Sequence, residues 1–328
     1  MKKIYSLLLL TTCSLSFAQV TESFNGTGAL NANGWTTHSG TTPGQLTIST
    51  GSLTYSGLSN SGNKVALVAG NSEDVNLSCG TAITAVAYYS AIVNMPNTTG
   101  LHPNTAVPGD YSIALGSTAG ASVTGLPGRI YFRTGSVADT FNVGVLNNSG
   151  GTATPSYLAT DYPVGTPLFV VVKYEIATNT ASLFVNPALD STEPAASATN
   201  NTGTTAAPAQ IASVALRQGG NATTGTGNVE YDNVRVADNW AYVTSSTLGV
   251  NENAIVGLSI YPNPANNYFT VATALNVEKN VAIYDLLGKQ VINTTTSSEI
   301  NVANLNSGLY IVKITENGAT ATRKLIIE

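Results

Sequence analysis

Leu168-Phe-Val-Val-Val-Lys-Tyr-Glu-Ile176, Ala177-Thr-Asn-Thr180 and Ala181-Ser-Leu-Phe-Val185 decide the fold class. The first stretch is a β-branched apolar run, the second is a polar turn, and the third returns. Together they predict a β-hairpin, because β-branched side chains suit a pleated strand and turn residues break the run. Working outward, Ile130-Tyr-Phe-Arg133, Phe141-Asn-Val-Gly-Val145 and Val214-Ala-Leu-Arg217 are further short strands. Val229 to Val236 alternates at Val229 and Tyr231, then at Val234 and Val236. The phase slips at Asp232-Asn233, which predicts a bulge. Helix signals are almost absent between Gln19 and Val243, and no internal repeat is present. Many short strands separated by turn residues predict an all-β sandwich or barrel, and such folds reach this size as one domain. Glu193–Ala209 and Asn147–Pro155 are expected to be long surface loops, since they are small, polar and low in complexity. Thr244–Asn253 is polar and small and reads as a linker.

The chain's two ends carry separate signals. Lys2 and Lys3 precede an apolar run from Ile4 to Leu10, and Ser16-Phe-Ala18 is a small-x-small site before Gln19. This is the pattern of a secretory signal peptide, too short and wrongly flanked for a membrane-spanning helix. No other stretch is long and apolar enough to span a bilayer as a helix. Cys13 could belong to a lipoprotein box, but Thr12 stands where such signals want a smaller residue. At the other end, Leu309–Ile314 leads into Asn317-Gly318 and returns along Ala319–Ile327, a second hairpin signal. Asn-Gly favours the tight turn because both positions accept positive φ. Val281–Tyr284 and Lys289–Ile292 flank Asp285-Leu-Leu-Gly288, a third. Tyr261-Pro-Asn-Pro264 cannot lie inside a sheet, because two prolines remove two ladder donors.

These C-terminal motifs resemble, in order and spacing, the type A C-terminal sorting domain of type IX secretion, the route by which Bacteroidota cross their outer membrane. The resemblance rests on Leu258-Ser-Ile-Tyr-Pro-Asn-Pro264, Val281-Ala-Ile-Tyr-Asp-Leu-Leu-Gly-Lys289, Leu305-Asn-Ser-Gly-Leu-Tyr-Ile-Val-Lys-Ile314 and Arg323-Lys-Leu-Ile-Ile-Glu328. The motif positions it implies are Tyr261, Pro262, Asn263, Pro264, Gly288, Gly308, Tyr310 and Lys324. It implies a small β-sandwich, a translocon and a surface sorting protease as partners, and delivery to the cell surface or beyond. A second resemblance, to the concanavalin-like or laminin-G-like jelly roll, spans about Glu22 to Val243. It rests on Tyr88-Tyr-Ser90, Gly128-Arg-Ile-Tyr-Phe-Arg133, Val171-Val-Lys-Tyr-Glu175, Ser182-Leu-Phe-Val-Asn-Pro187, Ala215-Leu-Arg-Gln218 and Tyr231-Asp-Asn-Val-Arg-Val236. The expected division is a signal peptide over residues 1–18, a large jelly-roll β-sandwich over 19–243, a linker over 244–256 and the small β-sandwich over 257–328.

Composition limits the partners. Charged residues are 9% of 328, against about 25% in average globular chains. Loss of Lys2 and Lys3 with the signal takes 13 basic residues to 11 against 18 acids, so the mature chain carries 11 − 18 = −7. A chain so acidic and so poor in cations is a poor ligand for nucleic acid or anionic membranes. Only Cys79 survives maturation, so no internal disulfide forms and no cysteine cluster can hold zinc.

Catalytic signatures are weak. Glu230-Tyr-Asp232 begins the alternating-acid pattern of jelly-roll hydrolases, but Val234 and Arg235 occupy the place of the last acid. His38 and His102 are the only histidines, and neither sits in a zinc motif or beside a serine elbow. Calcium needs several oxygen ligands, and Glu73, Asp74, Asp110 and Asp232, with Asn233, are the candidates for a structural ion of the kind the second resemblance implies. Sugar binding would use flat rings beside polar groups, and Trp35, Tyr88, Tyr89 and Tyr131 are the candidates. Tyr131 and Phe132 are adjacent on a strand, so at most one of them lines a given face. Trp240 is expected to pack the end of the domain. Three readings of the passenger follow: a non-catalytic module binding a polysaccharide or matrix, which is preferred; a glycan-degrading hydrolase with an atypical site; or a structural surface or biofilm protein.

Overall fold

The computed structural model describes residues 19–246 without 41–43, 59–61 and 106–108, and residues 255 and 258–328 without 274–276, 298 and 317–318. The signal peptide with Cys13, the linker from residue 247 to 254, and the Asn317-Gly318 turn lie outside the described residues. The chain divides into two compact units, Met1–Thr247 and Leu248–Glu328.

The first unit is a jelly-roll sandwich of two antiparallel sheets. The predicted hairpin forms as Leu168–Glu175 paired with Thr180–Val185, in the nine-stranded sheet. Val86–Asn94 pairs with the other edge of Leu168–Glu175, and Val229–Ala237 pairs next to it. The seven-stranded sheet runs in the order Ser156–Pro163, Thr140–Leu146, Arg129–Thr134, Asp110–Gly116, Ile211–Arg217, Asp74–Ile83 and Thr36–Ser39.

Strand alternation turns one side of each sheet inward. In the nine-stranded sheet, Leu183, Val172, Tyr89 and Val236 form one cross-strand row facing the shared core. In the seven-stranded sheet, Phe132 and Val143 face the same core from neighbouring strands. Two hydroxyls bridge the sheets across this layer. Tyr89 donates to the Gly128 carbonyl at 2.8 Å, and Tyr231 and Ser112 lie 2.5 Å apart. The slip predicted at Asp232-Asn233 is a register shift between Asp232 and Arg235, with Asn233 at φ 50°.

Two loop expectations are corrected. Asn147 and Asn148 are buried, because the Asn147 side chain donates to the Asn179 and Gly203 carbonyls and accepts from the Gly203 N–H. Within Glu193–Ala209, Ala198–Asn200 is an edge strand paired to Thr180–Val185, and buried Asn200 donates to Thr154 O. Polar side chains here satisfy loop backbone that would otherwise face the core. At the far end, Thr244 and Ser246 stay tied to the first unit through the Thr244 carbonyl, which accepts from Asp190 N, and the Asp190 carboxylate, which accepts from Ser246 N.

The second unit stacks a sheet of Ser259–Tyr261, Tyr268–Ala272 and Glu299–Asn301 with a sheet of Gln290–Thr296, Lys279–Tyr284, Gly308–Glu316 and Ala319–Ile327. Phe269, Val271, Val281, Ile283, Val312, Ile314 and Leu325 fill the space between. One ion pair lies at the edge of this core. Lys279 Nζ is 3.7 Å from Glu316 Oε2, donates to Ser297 O at 3.1 Å, and both side chains are buried. Removing one member of a buried pair leaves an uncompensated charge, which costs about 3–5 kcal/mol. Lys279→Met is therefore expected to destabilise the second unit by about that much, and Lys279→Met with Glu316→Leu to recover most of the loss. Chemical denaturation of the full chain checks both, and a neutral single variant would contradict the account.

Candidate functional site

The two outer sheet faces meet different fates. On the nine-stranded sheet, Phe184, Val171, Ser90 and Arg235 form an outward row. It is covered. Leu53, Leu58, Trp240 and Val243 pack onto it, and Ser90 Oγ donates to Val243 O at 2.7 Å. Trp240 sits in the short Trp240–Val243 helix, with its ring 4.8 Å from Phe184 and 6.2 Å from Tyr88.

The outer face of the seven-stranded sheet is built of tyrosine and arginine. Tyr111 pairs with Tyr131, Tyr131 with Gly144, and Gly144 with Tyr157, so three phenols cross four strands in one row. Gly144 is required in that row, since a Cβ there would meet the Tyr157 ring at 2.7 Å. Arginines flank the row. Arg129 and Arg217 lie 4.6 and 4.5 Å from the centre of the Tyr111 ring, and Arg133 lies 3.8 Å from that of Tyr157. Each such contact contributes about 0.5–2 kcal/mol. Burial pushes all three phenols above their ordinary pKa even beside these cations, so they are neutral hydroxyls at pH 7. Next to Tyr157, Asn104, Arg133, Ser136, Asn142 and Asp161 line a cavity of about 210 Å³. Arg133 Nε donates to Asn142 Oδ1 at 3.2 Å and Nη1 to Asn104 O at 3.0 Å. Ser136 Oγ and N–H donate to Asp161 Oδ2 at 2.5 and 2.7 Å and hold its carboxyl below the usual range.

The four aromatic candidates are all buried, and none offers an open ring. Trp35 stacks on Phe24 at 6.1 Å and donates to Glu22 Oε2. Tyr89 is in the shared core. Tyr88 lies under the covered face and donates to Glu193 Oε2 at 2.7 Å. Tyr131 alone belongs to the tyrosine–arginine row, where its ring packs 5.6 Å from Tyr111. Tyr111, Tyr157, Arg129, Arg133 and Arg217 are not among the sequence candidates. The alternation Arg129-x-Tyr131-x-Arg133 was the available signal, because it points three polar-tipped side chains to one face.

The four acids expected to hold calcium do not converge. Glu73 accepts from Thr37 Oγ1 at 2.6 Å and Leu46 N at 2.5 Å. Asp110 pairs with Arg217. Asp232 lies in the other sheet, where Ser52 Oγ and the N–H groups of Leu53 and Asn233 donate to it. Among the described residues no three His, Cys, Asp or Glu side chains are placed to share a metal ion. Glu230 of the acidic pair is held by Lys64 and Asn94. Asn76 Nδ2 lies 3.2 Å from His38 Nδ1, and burial pushes the Cys79 thiol up to about 12, which makes it inert.

In the second unit, Asn263 clamps the last strand. Its amide donates to Lys324 O at 2.8 Å and its carbonyl accepts from Ile326 N at 2.9 Å. Gly288, at φ 82°, closes the Asp285-Leu-Leu-Gly288 turn, and Tyr310 donates to Asn306 O from the Gly308–Glu316 strand. Residues 259–328 match the family of secretion system C-terminal sorting domains. The chain is thus a type IX secretion substrate, exported across the outer membrane to the cell surface or the extracellular space, and its sorting domain implies contact with the secretion machinery. Two curated relatives share part of the sequence. An endo-acting ulvan lyase of Formosa agariphila is 30% identical over 112 residues, 31% of this chain and 22% of that protein. An ulvan lyase of Nonlabens ulvanivorans is 34% identical over 77 residues, 22% of this chain and 14% of that protein. The chain thus spans less than a quarter of either relative. Among solved structures, peanut lectin aligns with 67% of this chain and 96% of its own at 13% identity and a TM-score of 0.37. No helix among the described residues is long and apolar enough to cross a membrane.

Two expectations follow. Burial pushes the Asp74 carboxyl up to about 6, against the opposing pull of Arg217. A carboxyl raised in the folded state holds its proton longer than in the unfolded chain. Its contribution to stability therefore falls as pH rises from about 4 to 6. Asp74→Asn keeps an oxygen for the Gln218 N–H and should raise the thermal midpoint more at pH 7 than at pH 4; an equal gain at both would exclude this origin. Deleting Leu258–Glu328 should leave the passenger in the periplasm, scored by cell fractionation.

Proposed function

We propose that the first unit is a non-catalytic glycan- or matrix-binding module, delivered outside the cell by the sorting domain, and that its site is the Tyr111–Tyr131–Tyr157 face. The observation that carries this reading is the contrast between the two outer faces. One is apolar and covered by the chain's own loops. The other carries phenols, guanidiniums and amides beside a small cavity, the mix of flat groups and directional donors that hydroxyl-rich ligands need. A sheet also gives a polymer a continuous bed across several strands. After export, cleavage between the two units by a surface sorting protease is part of the same proposal.

A glycan-active enzyme is the second reading, supported by the partial likeness to proteins named ulvan lyases. Against turnover, a phenol held neutral by burial is a weak proton acceptor, and Glu230 and Asp232 are engaged in structural bonds. The test is retention of the full-length secreted protein on a panel of polysaccharides, ulvan included. Saturable retention is expected, with Tyr111→Ala and Tyr157→Ala each weakening it about tenfold at a temperature where circular dichroism shows each variant folded. Retention by none of the polymers would overturn the binding reading, and shortened ulvan after incubation would favour the enzyme.

A further inference from the structure

Cations are scarce in this chain, and their placement is uneven. Between residues 19 and 246 there are six: Lys64, Arg129, Arg133, Lys173, Arg217 and Arg235. Three of the six are off the tyrosine face and held by internal partners. Lys64 pairs with Glu230, and Lys173 with Glu175 and Glu193. Arg235 is 1% exposed and donates to Asn233 Oδ1 and Ser245 O. The remaining three arginines share the tyrosine face, with Asp74, Asp110 and Asp161 beside them, in a chain whose formal charge is −5.

The rings on this face are not an open stacking platform. Guanidiniums lie over Tyr111 and Tyr157, in the position a neutral sugar's C–H face would take. The phenols instead hold the arginines in place. Arg133 is fixed further through Nε and Nη1, and Arg217 through Nη1 to Asp110 and Tyr111 O. Neither Nη2 makes a hydrogen bond among the described residues. The only buried side-chain N and O atoms there that lack a partner are Asn94 Oδ1 and Arg235 Nη2. The Nη2 groups of Arg133 and Arg217 are therefore unpaired and not fully buried. A planar donor held in place on its other edges loses little entropy when an anion arrives. The Arg133 cavity, at about 210 Å³, is below the ~300 Å³ of ordinary ligand pockets. It suits one substituent of one sugar, with the polymer lying along the row. Asp161 also lines it, held by Ser136 through Oδ2, and can accept that sugar's hydroxyls while Arg133 takes the charged group.

Resting on the glycan-binding reading above, we propose that this face selects anionic sugars, with a carboxylate or sulfate ester seated on Arg133 Nη2, and discriminates against neutral polymers. The test uses the full-length secreted protein in affinity electrophoresis through matched polymers: dextran against dextran sulfate, and polygalacturonate against its methyl ester. Retardation by the sulfated member, the carboxylated member or both is expected, with the neutral partner at least tenfold weaker, and the split between the two names the anion. Arg133→Gln should weaken the charged interaction by about tenfold or more, Arg133→Lys should fall between, and Lys173→Gln, off the face, should change nothing. Equal retardation by neutral and charged members would overturn this inference and leave the binding module standing. Equal loss from Arg133→Gln and Lys173→Gln would overturn it too, as diffuse charge attraction. Retardation by none would remove the binding reading itself. Melting temperatures of the variants identify any loss that comes from unfolding.

Discussion

The single apolar layer shared by two antiparallel sheets is the constraint on which the first unit depends. Its described residues contain no disulfide and no metal cluster, and Cys79 is a lone buried thiol. Rows such as Leu183–Val172–Tyr89–Val236 must therefore face inward together. A slip of one residue in any strand would turn its whole apolar set to water. That demand also dictates the outer faces, because every inward residue has outward neighbours. The outer surface is thus what remains once the core has been satisfied.

The two remainders are resolved in opposite ways. The nine-stranded sheet leaves Phe169, Val171 and Phe184 outside the core, and exposure of such a patch would favour association. The 52–58 segment and the Trp240–Val243 helix cover it, with Asp232 fastening Ser52 and Leu53. The seven-stranded sheet leaves residues that tolerate water. Their aromatic bodies bury area while their hydroxyl and guanidinium tips stay polar, so this part of the face offers directional donors, while the 117–125 loop lies over Asn76 and Ser213 beyond it. Arginine stacked on tyrosine serves both ends at once: it shields the ring and immobilises the charge.

Much of this was legible in the chain. The Leu168–Val185 hairpin, the bulge at Asp232-Asn233 and the sorting motifs were all read correctly, because each depends on residues close in sequence. The aromatic candidates all lie in packed surroundings. Trp35, Tyr88 and Tyr89 were chosen as flat rings, and all three are buried, since large aromatics lower the free energy of a core before they serve a surface. Asn147 and Asn200 looked like loop residues and are instead buried amides that satisfy neighbouring backbone. Asp110 is one candidate oxygen ligand in the sequence, and in the fold it pairs with Arg217, 107 residues away in the chain.

By itself the sequence determined the all-β class, the hairpins, the sorting domain and hence the export of the protein. Those follow from periodicity, turn chemistry and an ordered motif set, which are local properties. Only the tertiary structure decided which sheet face is sealed by apolar packing and which carries the tyrosines and arginines. It also brought Tyr111, Tyr131 and Tyr157 into one row with Arg129, Arg133 and Arg217 above and beside them. That row exists because four strands pair in one register, and register between strands distant in sequence is set by burial of the shared core, which no single strand can specify.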